Sequence, residues 1–349
     1  MKNAILSLDY EIFGNGTGDI FQNLIEPMEE LFAIAENRGF KYSIFFEAIE
    51  FLRIKREYAS GNHQGYHSDP VKAVEEQIVK LHRAGHDIQL HIHPQWAEAK
   101  WRDGAWELQN NWSLGQYGSD EELYELVKEG KDYLESLLRS VDPEYKCIAI
   151  RAGGYCLQPS HRVSNVMKKL GLFVDSSIVP GAISIDPRGR FDYSNVTQEI
   201  DYWHSSSELE NPSDGDFIEL PLSVHPIRRF RKILSLSALK ARLGKNRSSM
   251  ESLNAKSGGR GKSSLIEKIR YVFGTESQTW DFCILLPAIH DIFFRMAKSS
   301  QRNLFVLVGH PKGFTDANGF LYFLRKSKGV FQFITLNDFT KQCLTHSKS

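Results

Sequence analysis

Two short pairs of residues in this chain have the chemistry of metal ligands. Asp9 and Glu11 flank a tyrosine in the segment SLDYE, and two histidines, His91 and His93, flank an isoleucine in the segment QLHIHP. On an extended strand the two members of each pair point to the same face, because side chains alternate with a period of two. Two imidazoles and one carboxylate, from either Asp9 or Glu11, form the three-ligand set with an open water position that hydrolytic zinc enzymes use. A divalent ion bound there brings the pKa of its water to about 7 and polarises a carbonyl oxygen.

Three further polar residues follow apolar segments. Arg151 follows KCIAI, Asp175 ends LFVD, and His310 follows LFVLVG. In an α/β barrel the carboxyl ends of the strands share one face, and this face carries the active site. The sequence therefore predicts that acids, bases and a guanidinium from five strands meet at one rim.

The elements that would position these residues alternate along the chain. Helical spacing of apolar residues predicts helices over 24–35, 71–81, 119–138 and 159–170, with Gly39, Gly85 and Gly171 as stops and a capping box at Ser119. Short apolar runs predict strands over 3–9, 42–46, 87–91, 146–150, 172–175, 217–220, 304–309 and 331–336. This alternation predicts an α/β protein with a parallel sheet of about seven or eight strands, for which a barrel is the leading architecture.

The same segments, in the same order, resemble the motifs of the polysaccharide deacetylase (NodB-homology) family of carbohydrate esterases. SLDYE resembles the first, acidic motif, AGHDIQLHIHP the second, with its metal histidines, and RAGGY the third, with its arginine. KKLGLFVDSSIVPG resembles the Gly-x-x-x-Asp-Ser-Ser segment, and FVLVGHP the last motif, with its catalytic histidine. The resemblance implies a distorted (β/α) barrel of about seven strands and metal-dependent removal of an acetyl group from an N-acetylated sugar.

The resemblance also implies a metal centre. Asp9 would be the general base, and Glu11, His91 and His93 would bind a divalent ion. Because Tyr10 stands where the family has a second aspartate, the two acidic residues could exchange roles, with Asp9 as the ligand. Zinc is the expected ion, and manganese, cobalt and nickel also suit nitrogen and oxygen ligands.

Four other residues receive roles from the resemblance. His310 would protonate the leaving amine, and Arg151 would orient the base through a charge-assisted pair. The backbone N–H of Tyr155 would help to hold the oxyanion. Asp175 would either position His310 or Arg151, or cap the serine turn that follows it.

Substrate contacts are predicted from aromatic and acidic residues near these motifs. Four of the six tryptophans lie at positions 96, 101, 106 and 112, just after the histidine pair. Trp96 and its neighbours would form either a platform for sugar rings or a loop that packs against itself. Glu219, in IELPLS, is a further candidate for lining the site.

Composition limits the remaining possibilities. The 349 residues carry 43 basic and 43 acidic side chains, a balance that argues against a nucleic-acid binder. Residues 1–345 are predicted to form one domain, with a basic, flexible insertion at 228–275. The basic part, 228–270, would be a solvated loop or would contact a membrane surface or phosphate groups. The first residues lack the pattern of a secretory signal, so a cytoplasmic location is expected.

Two alternatives to sugar deacetylation remain open at this point. The same barrel and ion could hydrolyse a non-sugar amide, or the protein could bind glycans without turnover. The sequence leaves open the identity of the sugar and the oligomeric state.

Overall fold

The structure is a computed structural model that describes residues 1–228 and 275–346. In these ranges the chain forms fifteen strands and eight α-helices. The strands are β1 Lys2–Tyr10, β2 Ser43–Glu47, β3 Asp87–Ile92, β4 Lys100–Arg102, β5 Ala105–Glu107, β6 Ala149–Ala152, β7 Val174–Asp175, β8 Ile183–Ser184, β9 Phe191–Asp192, β10 Trp203–Ser205, β11 Phe217–Glu219, β12 Val224–Arg228, β13 Thr275–Thr279, β14 Leu304–Gly309 and β15 Phe331–Ile334. The helices are α1 Glu26–Arg38, α2 Ala48–Ala59, α3 Pro70–Arg83, α4 Asp120–Arg139, α5 Ser160–Leu170, α6 Pro287–Ser299, α7 Asn318–Ser327 and α8 Leu336–His346.

One curled sheet organises the molecule. Its strands lie in the order β10-β11-β7-β6-β3-β2-β1-β14, and β15 also pairs with β1. All of these pairs are parallel except the one between β10 and β11. Just after β11, Leu222 makes a parallel bridge to Val306 of β14, and Asp281 makes another to Val308. These bridges join the two sides of the sheet, so the predicted distorted (β/α) barrel is confirmed.

The strands of the barrel wall are buried on both faces. Every residue of β2, β3 and β14 is buried, as are the last seven residues of β1. Parallel strands covered by helices show such continuous apolar runs rather than an alternating pattern. The polar residues that do occur in these strands are therefore placed in the interior and need partners there.

The helix boundaries follow the capping signals of the sequence. Gly39 and Gly171 end their helices in the left-handed conformation, with φ of 70° each. Ser119 and Glu122 form the predicted capping box at the start of α4. Four helices, α2, α6, α7 and α8, were not expected from the sequence. In α6, Pro287 occupies the first turn, where proline starts a helix instead of interrupting it.

The predicted insertion begins and ends at one place on the barrel. β12 and β13 pair antiparallel, from Val224 opposite Thr279 to Arg228 opposite Thr275. Residues 229–274 lie outside the described residues, and so does almost all of the basic segment 228–270. Among the helices in the described part of the chain, none combines the length and the apolar character that crossing a membrane requires.

Candidate metal centre and active site

Three side chains converge at the ends of β1 and β3. Glu11 follows β1, His91 lies in β3, and His93 follows β3; each is at least 90% buried. Glu11 Oε2 lies 2.6 Å from His93 Nε2 and 3.6 Å from His91 Nε2. The two imidazole Nε2 atoms are 3.1 Å apart. The predicted cluster of two imidazoles and a carboxylate is thus brought together, with Glu11 as the carboxylate.

The donor set fits a small divalent ion. Ligand atoms about 2.1 Å from one ion, at tetrahedral angles, lie about 3.4 Å from one another, close to the separations of these three atoms. Glu11 Oε2 is buried and has no hydrogen bond, although both ring nitrogens face it. Such an orphaned buried carboxylate oxygen requires a partner, and a cation at the centre of the cluster supplies one.

The remaining polar atoms of the ligands have partners of their own. His91 Nδ1 is 2.9 Å from the carbonyl oxygen of Arg151, so the ring donates there and keeps the Nε2 lone pair for an ion. His93 Nδ1 contacts the side-chain amide of Gln95 at 2.8 Å. Burial lowers the pKa of His93, which keeps the ring in the neutral form that a ligand requires.

Lys312 holds the other oxygen of Glu11. Its Nζ donates to Glu11 Oε1 over 2.6 Å and to the carbonyl of Ile12 over 3.0 Å. Burial acts to raise the pKa of Glu11, but Lys312 and His93 outweigh it and hold this pKa well below the ordinary value. Glu11 is therefore an anion whose free oxygen, Oε2, points at the two imidazoles.

Asp9 lies beside this cluster and is paired with Arg151. Arg151 Nη1 donates to Asp9 Oδ1 at 2.5 Å, and its Nε and Nη2 donate to the carbonyl and hydroxyl of Ser176 at 2.8 and 3.0 Å. The guanidinium also lies 3.9 Å from the ring centre of Phe45. Burial acts to raise the pKa of Asp9, but the charges of Arg151 and the neighbouring histidines hold it well below the ordinary value.

His310 lies on the other side of Asp9. Its Nε2 is 3.5 Å from Asp9 Oδ2, and its Nδ1 is 2.7 Å from Asp281 Oδ2. Burial acts to lower the pKa of His310, but hydrogen bonds and charge from Asp281 and Asp9 raise it to about 9. At neutral pH the ring is therefore protonated and held in place as a proton donor.

Two buried glutamates, Glu47 and Glu50, bind the backbone next to the ligand residues. The backbone N–H of His93 donates to Glu47 Oε1 over 2.7 Å, and that of Ile12 donates to Glu50 Oε1 over 2.9 Å. The Glu50 backbone N–H in turn donates to the Glu47 carboxylate. Burial raises the pKa of both groups, that of Glu50 to about 8.

Asp175 takes the second of its two predicted roles. It accepts hydrogen bonds from the Ser177 hydroxyl at 2.7 Å and from the Ser177 backbone N–H at 3.0 Å, so it caps the serine turn. It does not hold His310, whose ring lies between the carboxylates of Asp281 and Asp9. Asp175 still acts near Arg151, because Ser176 of the same turn binds the guanidinium.

Glu219 is enclosed in the protein interior. Its side chain is fully buried beside Asp175, which is its parallel partner in the register of β11 and β7. Burial raises the pKa of Glu219 well above the ordinary value, and the neighbouring Asp175 raises it further. No part of this residue reaches the surface in the structure, and its role as a substrate contact stays a prediction.

Trp96 packs among the other tryptophans of its loop. It is fully buried, and its ring packs edge-on against Trp106 with ring centres 5.1 Å apart. Trp106 in turn packs edge-on against Trp101 and contacts the loop after β1, where a side chain at Gly16 would lie 2.8 Å from it. Here the alternative interpretation, a loop that packs against itself, is the correct one.

Tyr155 lies on a tight turn next to the ligands. Gly154 and Tyr155 both have positive φ, 57° and 65°. In this turn a β-carbon at Gly153 would lie 2.4 Å from the ring of His93, so the absence of a side chain there lets the imidazole pack on the backbone. The turn that carries Tyr155 therefore begins against the ring of a candidate ligand.

The residues that were not predicted lack a local signal. Glu47 and Gln95 each lie just beyond a predicted element or motif, and Glu50 lies in α2, a helix that was itself not expected. Asp281 sits outside any strand and meets His310 beside its isolated bridge to Val308 of β14. Lys312 is the one case with a usable signal, since it stands two residues after His310 in GHPKG.

A cleft of about 730 Å³ lies apart from these groups. It is lined by Gln116, Gln158, Pro159, Ser160, His161, Ile183, Ser184, Ile185, Arg190, Phe191, Asp192, Glu208 and Glu210. None of the predicted site residues belongs to this lining. The position of the chemistry is given by the buried polar cluster and not by this cleft.

Comparison with solved structures supports the fold. The chain superposes on a protein assigned as a polysaccharide deacetylase in Mycobacterium smegmatis, with a TM-score of 0.50, 13% identity, and coverage of 99% of this chain and 92% of that one. An enzyme described as PuuE allantoinase gives a TM-score of 0.46 at 12% identity, covering 96% and 88% of the two chains. A protein assigned as a polysaccharide deacetylase in Pseudomonas aeruginosa PAO1 gives 0.46 at 10% identity, also covering 96% and 88%.

No family profile and no curated protein matches the sequence. At these identities the superposition on the first structure establishes a shared fold, and the predicted NodB-type barrel is confirmed at that level.

Proposed function

We propose that this protein is a metal-dependent hydrolase that removes the acetyl group from an N-acetylated carbohydrate. One observation carries the proposal: the ligand atoms of Glu11, His91 and His93 lie within 3.6 Å of one another, next to the paired Asp9 and His310. A proton acceptor and a proton donor beside one ion site form the constellation that amide hydrolysis by activated water requires.

Each residue has a distinct task in this reaction. A bound divalent ion would supply water of lowered pKa and polarise the acetyl carbonyl. Asp9 accepts the proton of the attacking water, and Arg151 fixes its orientation through Asp9 Oδ1, so that Oδ2 is directed towards the site. The Tyr155 backbone N–H is the proposed donor to the developing oxyanion.

His310 completes the reaction as the acid. With a pKa raised to about 9 it carries a proton at neutral pH, and Asp281 fixes the ring through Nδ1. Nε2 can then donate to the nitrogen of the leaving amine as the carbon–nitrogen bond breaks. The products are acetate and a free amino sugar.

The ion we propose is Zn²⁺, because two imidazoles and one carboxylate with an open position are typical of catalytic zinc. Manganese, cobalt or nickel could occupy the same ligands. The proposed substrate is an N-acetylated glycan, or a lipid- or nucleotide-linked precursor of one.

The experiment combines metal content with acetate release. Wild-type protein, the double variant His91→Ala/His93→Ala, and the control His63→Ala/His67→Ala are each analysed by mass spectrometry for bound metal. The control removes two histidines that are exposed and lie in a loop. All three proteins are then assayed for acetate release on N-acetylated oligosaccharides, on phosphate-linked sugar precursors and on non-sugar acetamides.

We expect about one ion per chain and acetate release from a sugar substrate in the wild type and the control, and loss of both in the ligand variant. Turnover of the non-sugar amides alone would replace the proposed substrate by the first alternative. Metal-free wild-type protein that binds glycans without releasing acetate would contradict the hydrolase and favour the second.

A further inference from the structure

The two segments that carry Glu11 and His93 are not neighbours in the sheet. β2 lies between β1 and β3, and adjacent strands are about 4.8 Å apart, which places β1 and β3 about 10 Å apart. The ligand atoms of Glu11 and His93 are nevertheless 2.6 Å from each other. The two side chains therefore meet across the end of β2, so the distance between them depends on how the backbone of each segment is held there.

Backbone pairing does not provide this hold. The β1–β2 ladder ends with Tyr10 opposite Phe46, and the β2–β3 ladder ends with Glu47 opposite His91. Beyond these pairs the backbone N–H groups of Ile12 and His93 donate to side chains instead, those of Glu50 and Glu47. The two carboxyl groups thus continue the ladders past the end of β2.

The two glutamates belong to one rigid corner. Glu47 is the last residue of β2 and caps α2, and Glu50 lies in the first turn of that helix. Their exposed fractions are 1% and 3%, and the Glu50 N–H donates to the Glu47 carboxylate. Burying two carboxyl groups next to each other is costly, and apolar residues of similar size commonly pack there more stably. A role in holding the centre accounts for their presence.

We propose that Glu47 and Glu50 are positioning residues of the metal centre, which set the distance between Glu11 and His93 by binding the backbone beside each ligand. The inference rests on the proposed function, because it assumes an ion at these ligands. Neither glutamate touches the ion or the substrate. Each acts through the backbone N–H group from which it accepts a hydrogen bond.

The test varies the reach of each side chain without opening a large cavity. Glu47→Asp and Glu50→Asp withdraw the carboxylate from the backbone N–H, whereas Glu47→Gln and Glu50→Gln keep an acceptor oxygen at full length. The control Glu135→Asp shortens another buried glutamate, one that accepts from the backbone N–H of Cys147 at 3.0 Å on α4, away from the ligands. The dissociation constant for Zn²⁺ is measured by competition with a chromogenic chelator, together with the unfolding temperature of each protein.

We expect each aspartate variant to bind Zn²⁺ at least about 10-fold more weakly than wild type, as is typical when groups that orient metal ligands are lost. The glutamine variants should stay within about 3-fold, as should Glu135→Asp, whose effect is confined to the unfolding temperature.

Wild-type Zn²⁺ affinity in both aspartate variants would overturn the inference. If the aspartate variants do not fold, the glutamine variants decide, because a 10-fold loss of affinity in a folded glutamine variant would show that acceptor length is not what matters. A wild-type protein that binds Zn²⁺ normally but releases no acetate contradicts only the proposed function. A wild-type protein that binds no divalent ion overturns both proposals.

Discussion

Replacing Asp281 by asparagine tests the source of the proton that reaches the leaving amine. The substitution keeps the length of the side chain and an acceptor oxygen for His310 Nδ1, but it removes the negative charge. The pKa of His310 should then fall from about 9 towards the ordinary histidine value of about 6.5. If the pKa fell fully to about 6.5, the protonated fraction at pH 8 would fall from about 90% to about 3%. Because Asp9 remains in the variant, the expected loss of kcat/KM at pH 8 is up to about 30-fold, whereas at pH 6 it is less than about 2-fold.

The assay is the pH dependence of acetate release from pH 5.5 to 10. The basic limb of the profile should move to lower pH in the variant. Asp142→Asn is the matched control, because Asp142 also pairs with a histidine, His82, at 3.0 Å, and this pair joins the end of α3 to the segment after α4 and includes none of the ligands. A basic limb that stays near pH 9 in Asp281→Asn would refute the assignment of the raised pKa to this carboxylate.

Stability provides a second readout of the same pair. His310 has a higher pKa in the folded than in the unfolded chain, so its contribution is fully present below about pH 6.5 and is lost as the pH rises through about 9. The difference between a pKa of about 9 in the folded chain and about 6.5 in the unfolded chain corresponds to about 3 kcal/mol of stability at low pH. Asp281→Asn should therefore destabilise the protein more at pH 6 than at pH 10, as measured by urea unfolding.

Three further changes have defined outcomes. Gly153→Ala would place a methyl group 2.4 Å from the His93 ring, so it should abolish metal binding as measured by mass spectrometry; Gly39→Ala, where nothing lies within 4 Å, should cost stability only. Arg151→Lys cannot reproduce the three hydrogen bonds to Asp9 and Ser176, so the pKa of Asp9 should rise. The acidic limb of the pH profile of acetate release should then move to higher pH, and kcat should fall about 100-fold while the ion stays bound. Removing the ion with a chelator should lower the free energy of unfolding, by about 2.7 kcal/mol relative to protein at an ion concentration 100 times the dissociation constant; an unchanged unfolding curve would contradict an ion at the three ligands.

The ligand cluster could be predicted from sequence because it depends on two local regularities. Side chains two residues apart share a face of a strand, and parallel strands end at one rim of a barrel. These rules are enough to bring Asp9, Glu11, His91 and Arg151 together. They do not decide which carboxylate faces the imidazoles. Lys312 binds Glu11 and Arg151 binds Asp9, and these two contacts determine how each carboxylate is oriented. Both contacts join residues that are far apart in the sequence.

The sequence could not decide properties that arise only from tertiary packing. Trp96 and Glu219 have the residue types of substrate contacts, but the chain covers both. Asp175 lies at the end of a strand, where catalytic aspartates are often found. In the structure it accepts hydrogen bonds from Ser177 and so caps the turn that follows the strand. Asp281 is not at the end of a predicted strand, so nothing in the sequence was a reason to select it. In the structure it is nevertheless the residue that binds the His310 ring at 2.7 Å.

The antiparallel pairing of β12 with β13 has a consequence for engineering. Five residue pairs fasten the two ends of residues 229–274 together, and β13 ends only two residues before Asp281. The position of Asp281 therefore depends on the pairing of β12 with β13 and not on the chain that connects Arg228 to Thr275. The entropy of closing a loop grows by only about 0.6 kcal/mol for each doubling of its length. We therefore expect that this connection can be replaced by a short turn, or extended by an affinity tag or a fluorescent domain, without loss of acetate release. It is thus a suitable position for inserting a reporter. A truncated connection would also separate any contribution of the basic segment to substrate or membrane contact from the chemistry of the barrel.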